Sequence, residues 1–321
     1  MIMDLVTNSS PDNIAKAAQA LKAGQLVAFP TETVYGLGAD AVNENAVARI
    51  YAVKSRPANH PLIVHISSIS QLDLWATSIP DYAFNLARVF WPGPMTLILP
   101  KKTVARNFVT GGQSYIGLRI PAHPVALALL SAFEKLGGLG IAAPSANRFQ
   151  AVSATSAGAV IEEIGLFLDS SDLVLDGGRC RIGIESTIIE CTEIGPRILR
   201  PGAILKEMVE KITNRTIIGA GLGQQVRVSG MLGSHYSPKA QVRLNKQPKP
   251  GEGFIALSTI STPVGAIRLG SPHSIEEFAH EIYELLRLGD SKGLAKICVY
   301  LPKGGGLSVA IADRMLKAAS R

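Results

Sequence analysis

A chain of 321 residues with 47% apolar side chains can bury a substantial core and points to two domains. With no apolar run near the ~18 residues of a bilayer crossing, it reads as a soluble protein. Its net charge of +7 suits an acidic partner, whether a nucleotide or an RNA surface, as well as ordinary solubility. Cys180, Cys191 and Cys298 lack zinc-ligand spacing, and the N-terminus has no basic stretch leading into an apolar one. These features fit a reduced, untargeted, cytoplasmic chain with no protein-built metal site.

Ser10 before Pro11 is an N-cap and first-turn signal, Ile14, Ala17, Ala18 and Leu21 keep helical spacing, and Gly24 stops the helix. The strand QLVAFP, residues 25–30, then runs into the polar, glycine-rich segment TETVYGLGAD, read as an exposed turn whose Gly36 and Gly38 allow close backbone approach. A helix over residues 44–53 and another near 125–136 punctuate β-type runs at PLIVHI, MTLILP, SYIGLRIP, DLVLD, STIIE and RILRP. Strands outnumber helices, which predicts a twisted mixed α/β sheet rather than a strict βαβ repeat. Past about residue 205 a short amphipathic segment leads into a long glycine-rich stretch, and the chain restarts at GFIALST and VGAIRL. Ser274 with Glu277 forms a capping box for an amphipathic helix, and KICVYLP and a helix over residues 307–318 complete a small α/β unit. The expected division is 1–208 as a first domain, 209–240 as linker, and 241–321 as a small second domain.

Chemistry-bearing residues fall at element ends. Lys54 and Arg56, two apart in a segment that Pro57 biases towards extended backbone, aim two cations at one anion. Alternatively they simply complement a helix C-terminus. Ser145 and Asn147 emerge together after GIAA, as a ligand-facing pair or an ordinary polar turn. Thr31, Glu32 and Thr33 bring hydroxyls and a carboxylate to a turn. Arg119 ends an apolar strand and needs a carboxylate, either internal or from an amino-acid ligand. His65 reads as a core histidine or a catalyst, and GIEST and Arg200 add hydroxyls and a further cation at strand ends. No nucleophile-base pairing is recognisable, so a covalent mechanism is not expected.

Taken in order, FPTETVYGLGADA, KSRPANHPLIVHI, WPGPMTLIL, GLRIPAHP, AAPSAN, DGG with GIESTI, and ILRPGAI resemble the YrdC family over residues ~10 to 205. SGMLGSHYSP and the α/β unit after it resemble the linker and appended Rossmann-like domain of the family's long form. The resemblance implies a nucleotidyltransferase that condenses L-threonine, bicarbonate or carbon dioxide, and ATP with Mg²⁺ into threonylcarbamoyl-AMP and pyrophosphate. A separate transferase then modifies tRNA with the product, and weak tRNA contact is allowed. Carried over by motif, Thr33, His65, Arg119, Ser145 and Ser186 meet threonine. Lys54, Arg56, His60, Tyr115, Asn147, Thr155, Arg200 and Tyr236 meet ATP, with Lys54 and Arg56 catalytic. The chain departs from the pattern at His60, Tyr115 and Phe149-Gln150 on the nucleotide side, and at Ser229, where proline is usual. The resemblance also implies that SGMLGSHYSP serves as a lid. Two rivals remain at this level: an RNA-binding module without turnover, and a carbamoyl-adenylate enzyme of the hydrogenase-maturation kind, whose acylphosphatase-like segment and zinc-finger cysteines this chain lacks.

Overall fold

The computed structural model describes residues 5–219, 226–230 and 235–320. Its first sheet has ten strands: β1 (Val6–Asn8), β2 (Val27–Phe29), β3 (Gly36–Asp40), β4 (Ile63–His65), β5 (Met95–Pro100), β6 (Tyr115–Arg119), β7 (Ile141–Ala142), β8 (Leu173–Asp176), β9 (Thr187–Cys191) and β10 (Pro196–Arg200). They lie in the order β1-β8-β2-β3-β7-β4-β6-β5-β9-β10. The sheet is mixed, for β4 runs parallel to β6 and β5 to β9, while β2–β3, β5–β6 and β9–β10 are antiparallel. Flanking it are α1 (Pro11–Lys22), α2 (Glu44–Lys54), α3 (Leu72–Trp75), α4 (Asp81–Phe90), α5 (Asn107–Thr110), α6 (Pro124–Lys135), α7 (Ala157–Ile164) and α8 (Lys206–Thr213). The second sheet, β11 (Gln241–Leu244), β12 (Gly253–Ile255), β13 (Ile267–Gly270) and β14 (Lys296–Val299), is wholly parallel in the order β11-β14-β12-β13 and carries α9 (Ile275–Ser291) and α10 (Leu307–Ala319). Among the described residues no helix is long and apolar enough to cross a membrane.

The capping chemistry acts as the sequence predicts. Ser10 accepts from Asn13 N with Pro11 at the first helical position, and Ser274 accepts from Glu277 N. The Glu277 carboxylate reaches one residue further back than a capping box requires, accepting from His273 N at 2.6 Å.

Three expectations are corrected. GLGAD is not an exposed turn but the buried strand β3, because a β carbon on Gly38 would meet Ile141 at 2.8 Å and Phe29 at 2.9 Å; its glycine serves close packing inside the sheet. Lys54 is the last residue of α2, and Ser55 ends the helix in the left-handed region at φ 49, so Lys54 and Arg56 do not share the face of an extended segment. The boundary at residue 208 falls inside α8, whose Val209 is fully buried in the first domain's core, and Ile218 N still bonds Pro196 O at 2.9 Å. Residues 231–234 of the expected lid lie outside the described residues.

The two domains share a core. Val34, Val152, Ile184 and Tyr236 pack in one cluster with Phe278, Ile282 and Tyr283 of α9 and Ile311 and Met315 of α10. Burying such apolar area is worth roughly 25 cal/mol per Å², so the second domain is docked by the same force that holds each domain together.

Candidate active site

The sheet brings distant segments to one pocket. His65 ends β4 and Arg119 ends β6, and the parallel register pairs them directly. The loop after β2 is held by Thr31, whose hydroxyl donates to Val34 O at 2.7 Å and accepts from Thr33 N and Val34 N. That turn presents Thr33, which accepts from an Arg119 terminal nitrogen at 2.9 Å. A β-bridge between Gly36 and Ser145 brings the PSAN turn alongside. Ser186, just before β9, lies 2.8 Å from Thr96 Oγ1 and accepts from Arg200 at 3.1 Å.

Thr33, His65, Arg119, Ser145 and Ser186 line this pocket together with Arg56, Arg200 and Tyr236. Its free volume is about 50 Å³, room for a water or two, because Ser229, His235 and Tyr236 from the interdomain segment reach into it. Arg56 donates to Ser229 Oγ at 3.0 Å and Arg200 to Ser229 O at 3.0 Å, so one linker residue ties the two cations. Gly230 adopts φ +87 beside them, where a β carbon would meet Tyr236 Oη at 2.4 Å. Only glycine lets the chain pass over that ring.

Arg119 resolves the alternative left open for it. Its internal partner is Glu32, at 2.7 Å, whose other oxygen accepts from Ala122 N. The pair leaves Arg119 Nε buried without a hydrogen-bond partner. An unpaired buried donor on the wall of a pocket is a place for an acceptor to arrive. His65 Nδ1 and the Tyr236 hydroxyl are likewise buried without partners. Burial, reinforced by Arg119, pulls the His65 imidazole down to about 3, and burial does the same for His235, so both rings are neutral at physiological pH. Burial lowers the Arg56 guanidinium to about 10, still a cation there.

The other expected nucleotide residues do not line the pocket. The Lys54 ammonium donates to the carbonyls of Ser145 and Asn147, bracing the PSAN turn, and its burial, with Arg56 near, holds its pKa well below the lysine range. Asn147 donates to Arg148 O and Ala151 O. Thr155 turns its hydroxyl to Glu284 of α9 at 3.2 Å, so a domain contact occupies it. His60 packs edge-on against Phe149, ring centres 5.2 Å apart. Tyr115 lines a smaller neighbouring cavity with Gln113, Val226 and Arg227, which meets the pocket at Ile63 and Ser229. These placements correct the expectation of a single paired-cation grip: the cations that line the pocket are Arg56, Arg119 and Arg200.

Glu185 and, from the second domain, Arg314 were missed as site residues. Glu185, from the GIEST block, lines the pocket and accepts from Ser153 at 2.6 Å, from Tyr283 Oη at 2.9 Å and from Arg314 Nε at 2.8 Å. Burial works to raise its carboxyl, but Arg314, Arg200 and Ser153 hold it at about 2. Arg314 in turn donates to Pro201 O, and its guanidinium lies over the Tyr236 ring at 5.3 Å. The available signal for it was an arginine on the apolar face of a helix, between Ile311 and Met315. Glu32 stood in the quoted turn, but spacing alone gave it no partner.

Among the described residues no group of three or more histidine, cysteine or acidic side chains could hold a metal ion. Glu32 and Glu185 are each bound to an arginine.

Comparison with known proteins agrees with this architecture. The Sua5/YciO/YrdC family, described under telomere recombination, matches residues 19–202. The threonylcarbamoyl-AMP synthase C-terminal domain matches residues 204–320. The chain is 41% identical to threonylcarbamoyl-AMP synthase of Pyrococcus abyssi, covering 94% of this chain and 92% of that one, and 37% identical to the Bacillus subtilis protein of that name over 99% and 96%. The crystal structure of P. abyssi Sua5 complexed with L-threonine superposes with TM-score 0.86 and 37% identity, over 98% of this chain and 96% of that one.

Proposed function

The chain belongs to the Sua5/YciO/YrdC family in its two-domain form, and from that premise we propose that it makes L-threonylcarbamoyl-AMP and pyrophosphate from L-threonine, bicarbonate or carbon dioxide, and ATP. The observation that carries this reading is the convergence of Thr33, His65, Arg119, Ser145 and Ser186 with Arg56 and Arg200 on one pocket. The relatives named above carry the threonylcarbamoyl-AMP synthase name, and one of them was crystallised with L-threonine.

In this proposal the threonine carboxylate completes the Arg119 guanidinium at Nε, while Glu32 and Thr33 keep that fork oriented. Ser145 and Ser186 hydrogen-bond the rest of the amino acid, and neutral His65 stays unprotonated beside it. The threonine amine takes up carbon dioxide and releases a proton, giving an N-carboxylate. One oxygen of that carboxylate attacks the α-phosphorus of ATP, and the bond to the β-phosphate oxygen breaks as pyrophosphate leaves. No protein nucleophile takes part; Arg56 and Arg200 hold the phosphates and stabilise the charge that builds on the leaving group.

Mg²⁺ would fit this scheme as a companion of the nucleotide rather than of a protein cage, since Glu185 of the pocket and the nearby Glu32 are both engaged by arginines. It supplies charge neutralisation on the phosphates when bound. With only about 50 Å³ free, substrates enter as Ser229, His235 and Tyr236 withdraw, and their return excludes water from a hydrolysable product. The product then passes to a tRNA-modifying transferase.

The test is pyrophosphate release from ATP, omitting threonine and bicarbonate in turn. Turnover indifferent to threonine removes this reading. The RNA-binding alternative predicts salt-dependent RNA affinity with no turnover.

A further inference from the structure

The second domain carries a cleft, walled also by Pro201 of the first, that shares no lining residue with the pocket above. It lies where β11 and β14, adjacent and parallel, end: Asn245 follows the first, and Leu301 to Gly304 the second. In open parallel sheets this carboxyl edge is where ligands settle. We propose that the cleft binds a phosphate monoester of nucleotide size, with its phosphate on the glycine loop at the start of α10.

The loop is built of Gly304, Gly305 and Gly306. Gly304 has φ +124, and Gly306 has φ 63 with ψ −131, a conformation closed to side chains. A β carbon on Gly304 or Gly305 would meet nothing within 4 Å, so the backbone faces open space. Gly306 begins α10 with no side-chain cap. Among the described residues, the N–H groups of Gly304, Gly305, Gly306, Leu307 and Ser308 have no protein acceptor; the first in use is that of Val309, bonded to Gly306 O at 3.1 Å. Consecutive unpaired donors at the positive end of a thirteen-residue helix suit a phosphate dianion.

A second observation points the same way independently of the helix end. Ser308 lines the cleft and is 2% exposed, yet its Oγ has no hydrogen-bond partner. A hydroxyl so buried is normally paired. Lys303, exposed at the loop's start, adds a cation. Among the described residues the one carboxylate on the rim, Asp313, is held by Arg314 and Lys317.

The size and walls of the cleft set the rest of the ligand. It is an open groove of about 600 Å³, a volume within the range of small-molecule sites. Val309 and Leu316, 51% and 60% exposed on α10, give it an apolar side with Leu301. A phosphate at one end and an apolar face at the other match a mononucleotide better than an inorganic anion.

Amide hydrogen exchange of the full chain, followed on peptides covering residues 300–312 with AMP or adenosine as probe, tests this. AMP should slow exchange at the loop at least severalfold and adenosine should not. Gly305→Asp, which places a carboxylate in open space without blocking a contact, should abolish that protection with the unfolding temperature unchanged. Ser308→Ala should shift the AMP midpoint upwards about tenfold. No AMP protection in this peptide at millimolar concentration, equal protection by adenosine, or protection undiminished in Gly305→Asp overturns the proposal. Ile311 packs in one cluster with Tyr236 of the other pocket, so Gly305→Asp separates the sites. Protection at residues 300–312 that it abolishes, while pyrophosphate release from ATP is unchanged, belongs to the cleft. Protection that survives it belongs to the pocket around Arg119 and overturns the proposal.

Discussion

Two buried guanidinium–glutamate pairs bound the pocket, and they differ in what they leave unfinished. Arg119 and Glu32 belong to one domain, and the pair leaves Nε of the arginine without an acceptor. Arg314 and Glu185 come from opposite domains, and each nitrogen of the guanidinium has a protein acceptor, in Glu185, Asp313 and Pro201. A pair completed by protein fixes structure, whereas a pair left one acceptor short keeps room for a ligand. The same chemistry thus serves as a domain clamp on one side of the pocket and, in the function proposed above, as the substrate anchor on the other.

The sharpest way to break this distinction is Arg314→Ala. It strands the Glu185 carboxylate in the interior and should cost about 3–5 kcal/mol of stability in denaturant unfolding. The double variant Arg314→Met with Glu185→Gln should recover much of that loss, and a single variant of wild-type stability would refute the clamp.

Acid should dissolve the clamp in stages. His65 and His235, depressed to about 3, are neutral in the fold but bind protons when unfolded, so their stabilisation is complete above about 6.5 and lost as pH falls towards 3. Each contributes a slope of up to ~1.4 kcal/mol per pH unit in that window. Glu185, held at about 2 against an ordinary 4.5, adds about 3 kcal/mol that is present above 4.5 and lost between there and 2. Unfolding free energies measured from pH 7 to pH 3 should steepen accordingly, and His235→Gln should remove one histidine's share of the slope.

On the anchor side, Arg119→Lys keeps a charge for Glu32 but loses the fork. Threonine should bind about ten- to a hundredfold more weakly, roughly 1.4–2.7 kcal/mol, read as a raised threonine KM in pyrophosphate release, with a far smaller change in unfolding midpoint than Arg314→Ala. Equal losses of stability in the two variants would erase the difference between the pairs.

The smallest effect is expected at Thr155. With its hydroxyl on Glu284, Thr155→Val should cost about 0.5–1.5 kcal/mol of stability and leave the KM for ATP unchanged. A raised KM for ATP with unaltered stability would return this residue to the nucleotide.

Local signals determined a good deal of this protein. Ser10 with Pro11, Ser274 with Glu277, and the short apolar runs at MTLILP and SYIGLRIP specify helices and strands because caps and short, turn-bounded apolar stretches act over a few residues. The ordered blocks from FPTETVYG to ILRPGAI also carried Thr33, His65, Arg119, Ser145 and Ser186, the residues expected to meet threonine, and the sheet gathers them into one pocket. Tertiary structure alone decided which charges remain available. Lys54 is engaged by two carbonyls more than ninety positions away, Thr155 by a glutamate in the other domain, and Glu185 by an arginine 129 residues further along. Hydrogen-bond capacity is filled by whatever the fold brings within about 3 Å, and sequence spacing carries no record of that distance.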